Sequence, residues 1–339
     1  MLRLTDRGLF CEAGGFHVDP WGPVERAVVT HAHGDHLAWG CDRYLTSAAG
    51  RAIAERRLGA GATVRGVAYG EPVTVNGVRL SLHPAGHILG SAQVRIEHGG
   101  EVWVVSGDYK VEPDPTCTPF EPVRCHTFVT ESTFGLPVYQ WPAQQDVFDA
   151  IHAWWRANQA EQRTSLLFGY ALGKAQRLLA GLDPSVGPIL THGAVEQMTA
   201  LYRAEGVPLP PTTYALAASK GNDWKRAIVV APPGADRTPW ARRFGDAATA
   251  MASGWMRVRG ARRRRGVDRG FTLSDHVDWP GLLQAVAATG ASSVWVTHGF
   301  TAPVVRWLQE QGLEARAIAT RFEGDERAES DVPDEPEPA

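Results

Sequence analysis

The sequence predicts a mixed α/β protein, and three observations support that fold class. The chain has 339 residues, of which 44% are hydrophobic, enough to bury a large core in more than one domain. Short apolar runs between glycine- and proline-bearing turns dominate the chain up to about residue 135, a pattern typical of strands. From Gln144 onward, helical and strand patterns alternate, as they do in α/β domains.

The individual elements follow from local periodicity. The early strands include VRIE at 94–97 and EVWVVSGD at 101–108. A helix is predicted from Gln144, because apolar side chains recur there at spacings of three and four: Val147, Phe148, Ile151, Trp154 and Trp155. The next elements are strand 164–168, helix 173–182, strand 188–190, helix 194–204 and strand 227–233. The last are helix 280–288, strand 293–296, helix 303–311 and strand 317–319.

Composition excludes several classes of protein. No stretch approaches the roughly 18 uninterrupted apolar residues of a membrane helix, and the N-terminus MLRLTDRGLF lacks the apolar core of a signal peptide. We therefore expect a cytoplasmic protein that does not associate with membranes. The four cysteines show no C-x-x-C spacing, so neither a zinc ribbon nor a disulfide framework is indicated.

The net charge is −3, but the charged residues are distributed unevenly along the chain. Residues 322–339 hold eight acidic residues and one arginine, with almost no apolar side chains, so we expect a disordered acidic tail. Residues 237–269 carry ten arginines, including the run ARRRRG at 261–266. That stretch suits contact with phosphate; the alternative is a solvated surface loop that binds no ligand.

The stretch THAHGDHLAWG, residues 30–40, concentrates side chains that bind metal ions. Four of them follow directly after the apolar run 27–29: His31, His33, Asp35 and His36. A catalytic metal needs several imidazoles or carboxylates in one pocket, and a loop that leaves a strand can supply them together. Further candidates border other predicted strands, namely His87, Asp108 and His298. Taken singly, each of these three also suits an ordinary turn.

In their order along the chain, these segments resemble a known family. HAHGDH, GH at 86–87 and SGD at 106–108 resemble the metal motifs of the metallo-β-lactamase fold. TEST at 130–133, YALGKAQ at 170–176, SDHVD at 274–278 and THG at 297–299 resemble the additional motifs of its β-CASP branch, which comprises nucleic-acid nucleases. The resemblance covers nearly the whole chain except the tail. The short length and the SDHVDW form are most similar to the bacterial DNA-ligase-associated exonucleases.

The resemblance implies a four-layer αβ/βα metallo-β-lactamase sandwich with an inserted α/β β-CASP domain. The first part of the sandwich would span residues 1–137 and the inserted domain 138–265. The second part would span 266–322, followed by the acidic tail at 323–339. Residues 276 and 298 would then return to the N-terminal half of the chain.

The resemblance also implies roles for single residues. One divalent metal ion, Zn²⁺ or Mn²⁺, would be held by His31, His33 and His87. A second would be held by Asp35, His36 and His298, and Asp108 would bridge the two. The catalytic residues would be Asp35, His276 and Glu131, with His276 as the general acid and Glu131 holding its tautomer. Asp19 would orient a ligand histidine by a hydrogen bond, although an aspartate before Pro20 also suits a turn.

Two further segments are predicted to contact nucleic acid. Lys174 lies in GKAQ at a predicted helix start, where a helix N-terminus favours phosphate, although a plain helix start needs no ligand. The other segment is the arginine run, Arg262, Arg263, Arg264 and Arg265.

The resulting prediction is a two-metal phosphodiesterase that hydrolyses nucleic acid and leaves a 5′-phosphate and a 3′-hydroxyl. A DNA exonuclease in DNA repair is favoured, with a DNA ligase and a helicase as partners. An RNA-processing endonuclease or exonuclease of the same family remains open. Two other hypotheses are a hydrolase of thioesters or lactams, disfavoured by the inserted α/β segment and the arginine-rich stretch, and a catalytically inactive scaffold, disfavoured because no ligand is missing.

Overall fold

The computed structural model describes residues 1–217, 224–258, 260 and 266–320. Its chain divides into two compact units. The first comprises Met1–Gln140 together with the described chain from Asp275 onward, and the second is Trp141–Ser274. The predicted domain limits at 137, 265 and 322 stay predictions.

A six-stranded sheet in the first unit has the order β1-β2-β3-β4-β5-β6. Its strands are β1 Leu2–Thr5, β2 Gly8–Cys11, β3 Phe16–Val18, β4 Arg26–Val28, β5 Arg43–Ser47 and β6 Val64–Val67. Helix α1, Arg51–Leu58, contacts β6 and buries Ile53 and Ala54. This helix was not predicted from the sequence, because four of its eight residues are charged and it buries only two side chains.

A seven-stranded sheet completes the first unit, in the order β19-β18-β11-β10-β9-β8-β7. Its strands are β7 Val73–Val75, β8 Val78–Pro84, β9 Ala92–His98, β10 Glu101–Val105, β11 Thr127–Ser132, β18 Ser293–Gly299 and β19 Glu314–Ala317. Strands β7 to β10 form an antiparallel meander. Strands β10, β11, β18 and β19 are parallel neighbours.

The two sheets of this unit share one hydrophobic core. Phe16 and Val28 of the six-stranded sheet pack in the same cluster as Leu82, Val94 and Val105 of the seven-stranded sheet. The opposite face of the seven-stranded sheet packs against two helices, α6 Trp279–Thr289 and α7 Thr301–Glu310. Asp278 begins α6 by accepting a hydrogen bond from the Gly281 amide at 2.9 Å.

The second unit is built on a fully parallel sheet in the order β14-β13-β15-β12-β16-β17. Its strands are β12 Ser165–Phe168, β13 Ile189–Thr191, β14 Thr213–Tyr214, β15 Ile228–Ala231, β16 Ala248–Ala252 and β17 Arg269–Phe271. Its helices are α2 Gln144–Ala160, α3 Lys174–Gly181, α4 Gly193–Ala204 and α5 Pro239–Arg242. Trp155 of α2 and Leu179 of α3 pack on one face, and Trp240 of α5 packs on the other.

The prediction of a mixed α/β protein is therefore confirmed, and the differences are local. The strand predicted at 317–319 is wrong in position: β19 is Glu314–Ala317, because pairing with β18 selects the residues opposite Ser293 to Val296. Over the described part of residues 237–269, the alternative of a surface loop is also wrong. That stretch contains α5, and β16 is a largely buried strand between β12 and β17.

Two of the charged segments lie outside the described residues, namely the arginine run 262–265 and the acidic tail 323–339. In the part of the chain that the structure describes, no helix is both long and apolar enough to span a bilayer.

Candidate metal centre

The predicted ligands converge because of how the strands of the first unit run. Strand β8 is parallel to β10, since both are antiparallel to β9, and β10 is parallel to β11 and β18. The carboxyl ends of all four strands therefore lie at one edge of the sheet. His87 follows β8 and Asp108 follows β10, while Glu131 is the next-to-last residue of β11 and His298 the next-to-last residue of β18.

The loop after β4 brings the other ligands to this edge. The apolar side chains of Val29 and Leu37, with exposed fractions of 0% and 1%, anchor the loop at both ends. Between them the chain turns tightly, because the His33 carbonyl accepts hydrogen bonds from the amides of His36 at 3.1 Å and Leu37 at 2.9 Å. The turn gathers the polar side chains of residues 31–36 on one side of the loop.

The first cluster consists of His31, His33, His87 and Asp108, all buried. Nδ1 of His33 lies 3.1 Å from Nε2 of His31 and 3.1 Å from Nε2 of His87. Oδ2 of Asp108 lies 3.4 Å from the His31 nitrogen and 3.8 Å from the His87 nitrogen. Ligand atoms bound about 2.1 Å from a tetrahedral ion are about 3.4 Å apart, so this spacing fits a metal site.

Burial favours the neutral form of His31 and His87 in the first cluster, because it lowers the pKa of both rings, and the neutral form is the one that binds metal. Burial lowers the pKa of His87 to about 3, and the neighbouring His276 and His33 act in the same direction. Burial also holds the pKa of His31 well below its usual value. Nδ1 of His87 lies 2.9 Å from the Asp275 carbonyl, to which it must donate, so Nε2 carries the lone pair that faces the cluster.

The second cluster consists of Asp35, His36 and His298. Nε2 of His36 lies 3.6 Å from Oδ2 of Asp35 and 3.4 Å from Oδ2 of Asp108. The same Asp108 oxygen is thus 3.4 Å from a histidine nitrogen of each cluster. A carboxylate in this position can bridge two cations.

The electrostatics of the second cluster also favour a cation. Although burial opposes its protonation, the carboxylates of Asp108, Asp35 and Asp19 raise the pKa of His36 well above the usual value. Within the described residues, the buried Nε2 of His36 has no hydrogen-bond partner. A buried imidazole nitrogen without a hydrogen bond, facing two carboxylates, fits a divalent metal ion.

A hydrogen-bond network behind the metal loop orients both clusters. Oδ2 of Asp19 lies 2.7 Å from Nδ1 of His36, which leaves Nε2 of that ring for the cluster. Thr30 holds this carboxylate through its amide at 2.8 Å and its hydroxyl at 2.6 Å. The same hydroxyl lies 3.1 Å from Nδ1 of His31. Thr30 therefore contacts His31 of the first cluster and Asp19, which orients His36 of the second. Sequence reasoning missed this residue, and its position directly before His31 was the only signal.

His298 reaches the second cluster because β18 is irregular at this point. Glu131 pairs with Thr297, but Ser132 pairs with Gly299, so His298 is the extra residue of a β-bulge. Its φ of +54° is in the left-handed region that non-glycine residues seldom adopt. Bulges of this kind re-aim one side chain beside a functional site. Thr297, also missed from the sequence, places its hydroxyl 3.2 Å from Nδ1 of His298.

His276 and Glu131 form a third group beside Asp108. Nδ1 of His276 lies 2.9 Å from Oε2 of Glu131 and 4.0 Å from Oδ2 of Asp108. Glu131 is itself held by the Tyr109 amide at 2.9 Å and the Thr133 hydroxyl at 2.5 Å. This arrangement fits a proton donor with a fixed tautomer. The three acidic and imidazole groups also lie close enough together to hold a metal ion, so the geometry alone leaves both roles possible.

The structure does not test the predicted contacts with nucleic acid. Lys174 is the first residue of α3 in the second unit, where its side chain is only 3% exposed. Its contact with phosphate stays a prediction. The predicted contacts of Arg262, Arg263, Arg264 and Arg265 lie outside the described residues.

The chain is similar in sequence to several curated proteins. No family model matches the chain. A protein of Opitutus terrae named "Probable DNA ligase" is 35% identical over 315 residues, which cover 92% of this chain and 30% of that protein. The "Endoribonuclease YSH1" of Saccharomyces cerevisiae is 31% identical over 121 residues, covering 34% of this chain and 15% of the relative.

A further curated relative and one solved structure are also similar to this chain. The "Transcription termination factor FttA" of Thermococcus kodakarensis is 33% identical over 145 residues, covering 38% of this chain and 21% of the relative. A solved structure of a protein of unknown function from Enterococcus faecalis V583 has a TM-score of 0.60 at 11% identity, covering 88% of this chain and 80% of that one. The chain thus spans less than a third of the length of these three curated relatives.

Proposed function

Because this chain belongs to the β-CASP family of the metallo-β-lactamase fold, we propose that it is a two-metal phosphodiesterase acting on nucleic acid. The observation that carries the proposal is the single oxygen of Asp108 lying 3.4 Å from a ligand nitrogen of each cluster. The proposal includes a four-layer αβ/βα order for the first unit and a cytoplasmic location.

In this proposal each cluster holds one divalent ion, Zn²⁺ or Mn²⁺. His31, His33 and His87 would hold one ion, Asp35, His36 and His298 would hold the other, and Asp108 would contribute to both. Two such ions would polarise the phosphodiester and lower the pKa of the attacking water. The histidine-rich first cluster suits zinc, and the carboxylates of the second also suit manganese.

Residues of this chain donate the proton that the reaction requires and orient the attacking water. His276 donates a proton from Nε2 to the departing 3′-oxygen, while Glu131 holds the proton at Nδ1, 2.9 Å away. Asp35 accepts a hydrogen bond from the attacking water and orients it. Cleavage leaves a 5′-phosphate and a 3′-hydroxyl. Asp19 and Thr30 keep the ligand rings at fixed angles.

A DNA exonuclease in DNA repair is the preferred form of this activity. The relative that covers nearly all of this chain is named a probable DNA ligase, which supports a DNA substrate and a ligase as partner. The proposal also includes a helicase as a further partner, which follows only from the family resemblance. The alternative is an RNA-processing endonuclease or exonuclease. It is supported by the relatives named endoribonucleases, which cover about a third of the chain.

Digestion of matched DNA and RNA strands tests the proposal. Each strand is labelled separately at its two ends and incubated with metal-free protein to which zinc or manganese is added back. We expect single nucleotides to be released from DNA, and the end label that disappears first gives the polarity. A variant with His31→Ala and His36→Ala is the matched control, because it removes one ligand from each cluster. If the protein produces internal fragments from RNA but releases no mononucleotides from DNA, the exonuclease proposal is wrong and the RNA-processing alternative is favoured.

A further inference from the structure

Trp39 is the most exposed large hydrophobic residue in the described part of the chain. Its side chain is 58% exposed, and the other exposed large hydrophobic residues, Leu4 and Val138, are aliphatic. Exposure alone decides little, because single apolar side chains are common on protein surfaces. The anchoring of Trp39 and its position are what point to a ligand.

The backbone on both sides of Trp39 is fixed. The hydroxyl of Tyr44, a buried residue, donates to the Ala38 carbonyl at 2.8 Å and accepts from the Cys41 amide at 2.9 Å. Leu37, two residues before the tryptophan, is buried. A single buried phenol therefore clamps the short segment that presents the indole. A ligand that meets this ring gains contact area without paying to order the loop.

Trp39 is also close to the metal centre. It lies three residues after His36, on the loop that carries four of the predicted ligands, so the two Cα atoms are at most about 11 Å apart. Nucleotides of an extended single strand are farther apart than the ~3.4 Å of a B-form strand, so this distance corresponds to about three nucleotides or fewer. We therefore expect the exposed ring to be within reach of a base near the bond that is cut.

We propose that Trp39 is a stacking platform for one unpaired nucleobase of the substrate, close to the cleaved bond. The inference rests on the proposed nuclease function and adds a substrate class, a single-stranded segment, because a base must leave its partner to offer its face to the ring. Aromatic side chains hold single strands in this way without reading sequence.

The sequence around Trp39 favours a base over a protein partner. The nearest exposed residues along the chain are Gly40 and Asp42, neither of which has an apolar side chain. A protein–protein hot spot needs a surrounding ring of contacts that excludes water, whereas base stacking needs only one aromatic face.

The test combines variants of Trp39 with abasic substrates. Single-stranded oligonucleotides carry an abasic site at successive positions on either side of the cleaved bond. They are cleaved by the wild type, Trp39→Ala and Trp39→Phe, and kcat/KM is measured for each pair. Methyl p-nitrophenyl phosphate, which has no base, reports on the metal centre, and metal content is measured for every variant.

We expect Trp39→Ala to lower kcat/KM on the intact oligonucleotide by roughly 5- to 150-fold, the range of one base–aromatic stack. Trp39→Phe should keep most of the activity. At one position, the abasic site should slow the wild type by a similar factor and Trp39→Ala by no more than a small further amount. Metal content and the rate on methyl p-nitrophenyl phosphate should match the wild type.

Three results would overturn the inference. One is an unchanged kcat/KM for Trp39→Ala, which would show that the indole does not contact the substrate. Another is an abasic penalty that is as large in Trp39→Ala as in the wild type. The third is a loss of metal in Trp39→Ala, which would give the residue a structural role. If instead the wild type hydrolyses the small ester but cleaves no nucleic acid, the proposed function fails and the stacking platform fails with it.

Discussion

Replacing His276 and His298 separately with alanine should separate a proton donor from a metal ligand. His276 uses Nδ1 to contact Glu131 at 2.9 Å, and the same nitrogen is 4.0 Å from the shared carboxylate of Asp108. His298 belongs to the second cluster with Asp35 and His36. We expect His276→Ala to retain both metal ions and His298→Ala to lose occupancy of the second one.

The magnitude expected for His276→Ala follows from the loss of one positioned acid. Cleavage of DNA should slow by about 10²–10⁴-fold, which corresponds to ~2.7–5.4 kcal/mol in the barrier. The buried Glu131 would keep its hydrogen bonds from the Tyr109 amide and the Thr133 hydroxyl but lose the imidazole. That loss should destabilise the fold by ~1–3 kcal/mol, so the unfolding midpoint is measured beside the rates. His276→Asn, which keeps an amide donor for Glu131, is the matched control for stability.

The assay compares two leaving groups. DNA releases a sugar oxygen that must be protonated, whereas methyl p-nitrophenyl phosphate releases p-nitrophenolate, which departs without a proton. His276→Ala should therefore cleave the ester at a rate far closer to the wild type than it cleaves DNA. His298→Ala should lose both activities in proportion to the metal it loses, as measured by elemental analysis of the purified variants.

The reasoning is refuted if His276→Ala loses a metal ion or loses both activities equally. His276 would then be a ligand or a residue of the fold. The group formed by Asp108, Glu131 and His276, whose potential ligand atoms all lie within 4.8 Å of one another, would in that case be the place where an ion binds.

Three other predictions concern supports and surfaces. Thr30→Val should weaken metal affinity by roughly 10- to 100-fold in a metal titration, because it removes the hydroxyl that touches Asp19 and His31, and Thr30→Ser should restore it. Replacing arginines 262–265 with alanine should weaken DNA binding and lower the slope of log affinity against log salt by about 1 per lost phosphate contact; an unchanged slope would return the run to the solvated surface. Gly90→Ala should lower the unfolding midpoint more than Gly77→Ala. Both positions have positive φ, which costs ~1–2 kcal/mol, but only at Gly90 would the new Cβ lie 2.2 Å from backbone atoms, adding ~1–3 kcal/mol of overpacking. Equal midpoints for the two variants would contradict that account.

The sequence by itself determined the family and the kinds of ligand. The spacing H-x-H-x-D-H after an apolar run, together with the later motifs in order, identified the β-CASP family, and the relatives confirm it. The helix beginning at Gln144 was predicted at its observed first residue, because its buried face repeats every three to four positions. These features are local, so a single segment carries the whole signal.

Only the tertiary structure decided how those residues meet. His87 and His276 come from distant parts of the chain, and their contacts with the metal loop and with Glu131 depend on which strands are neighbours and in which direction they run. The bulge that places His298, and the hydroxyl of Thr30 between two ligand rings, leave no periodic trace in the sequence. The physical reason is that hydrophobic periodicity records which face of one element is buried, whereas a metal site depends on the register between elements. One residue of slip in β18 would turn His298 away from the cluster without altering the pattern of apolar residues around it.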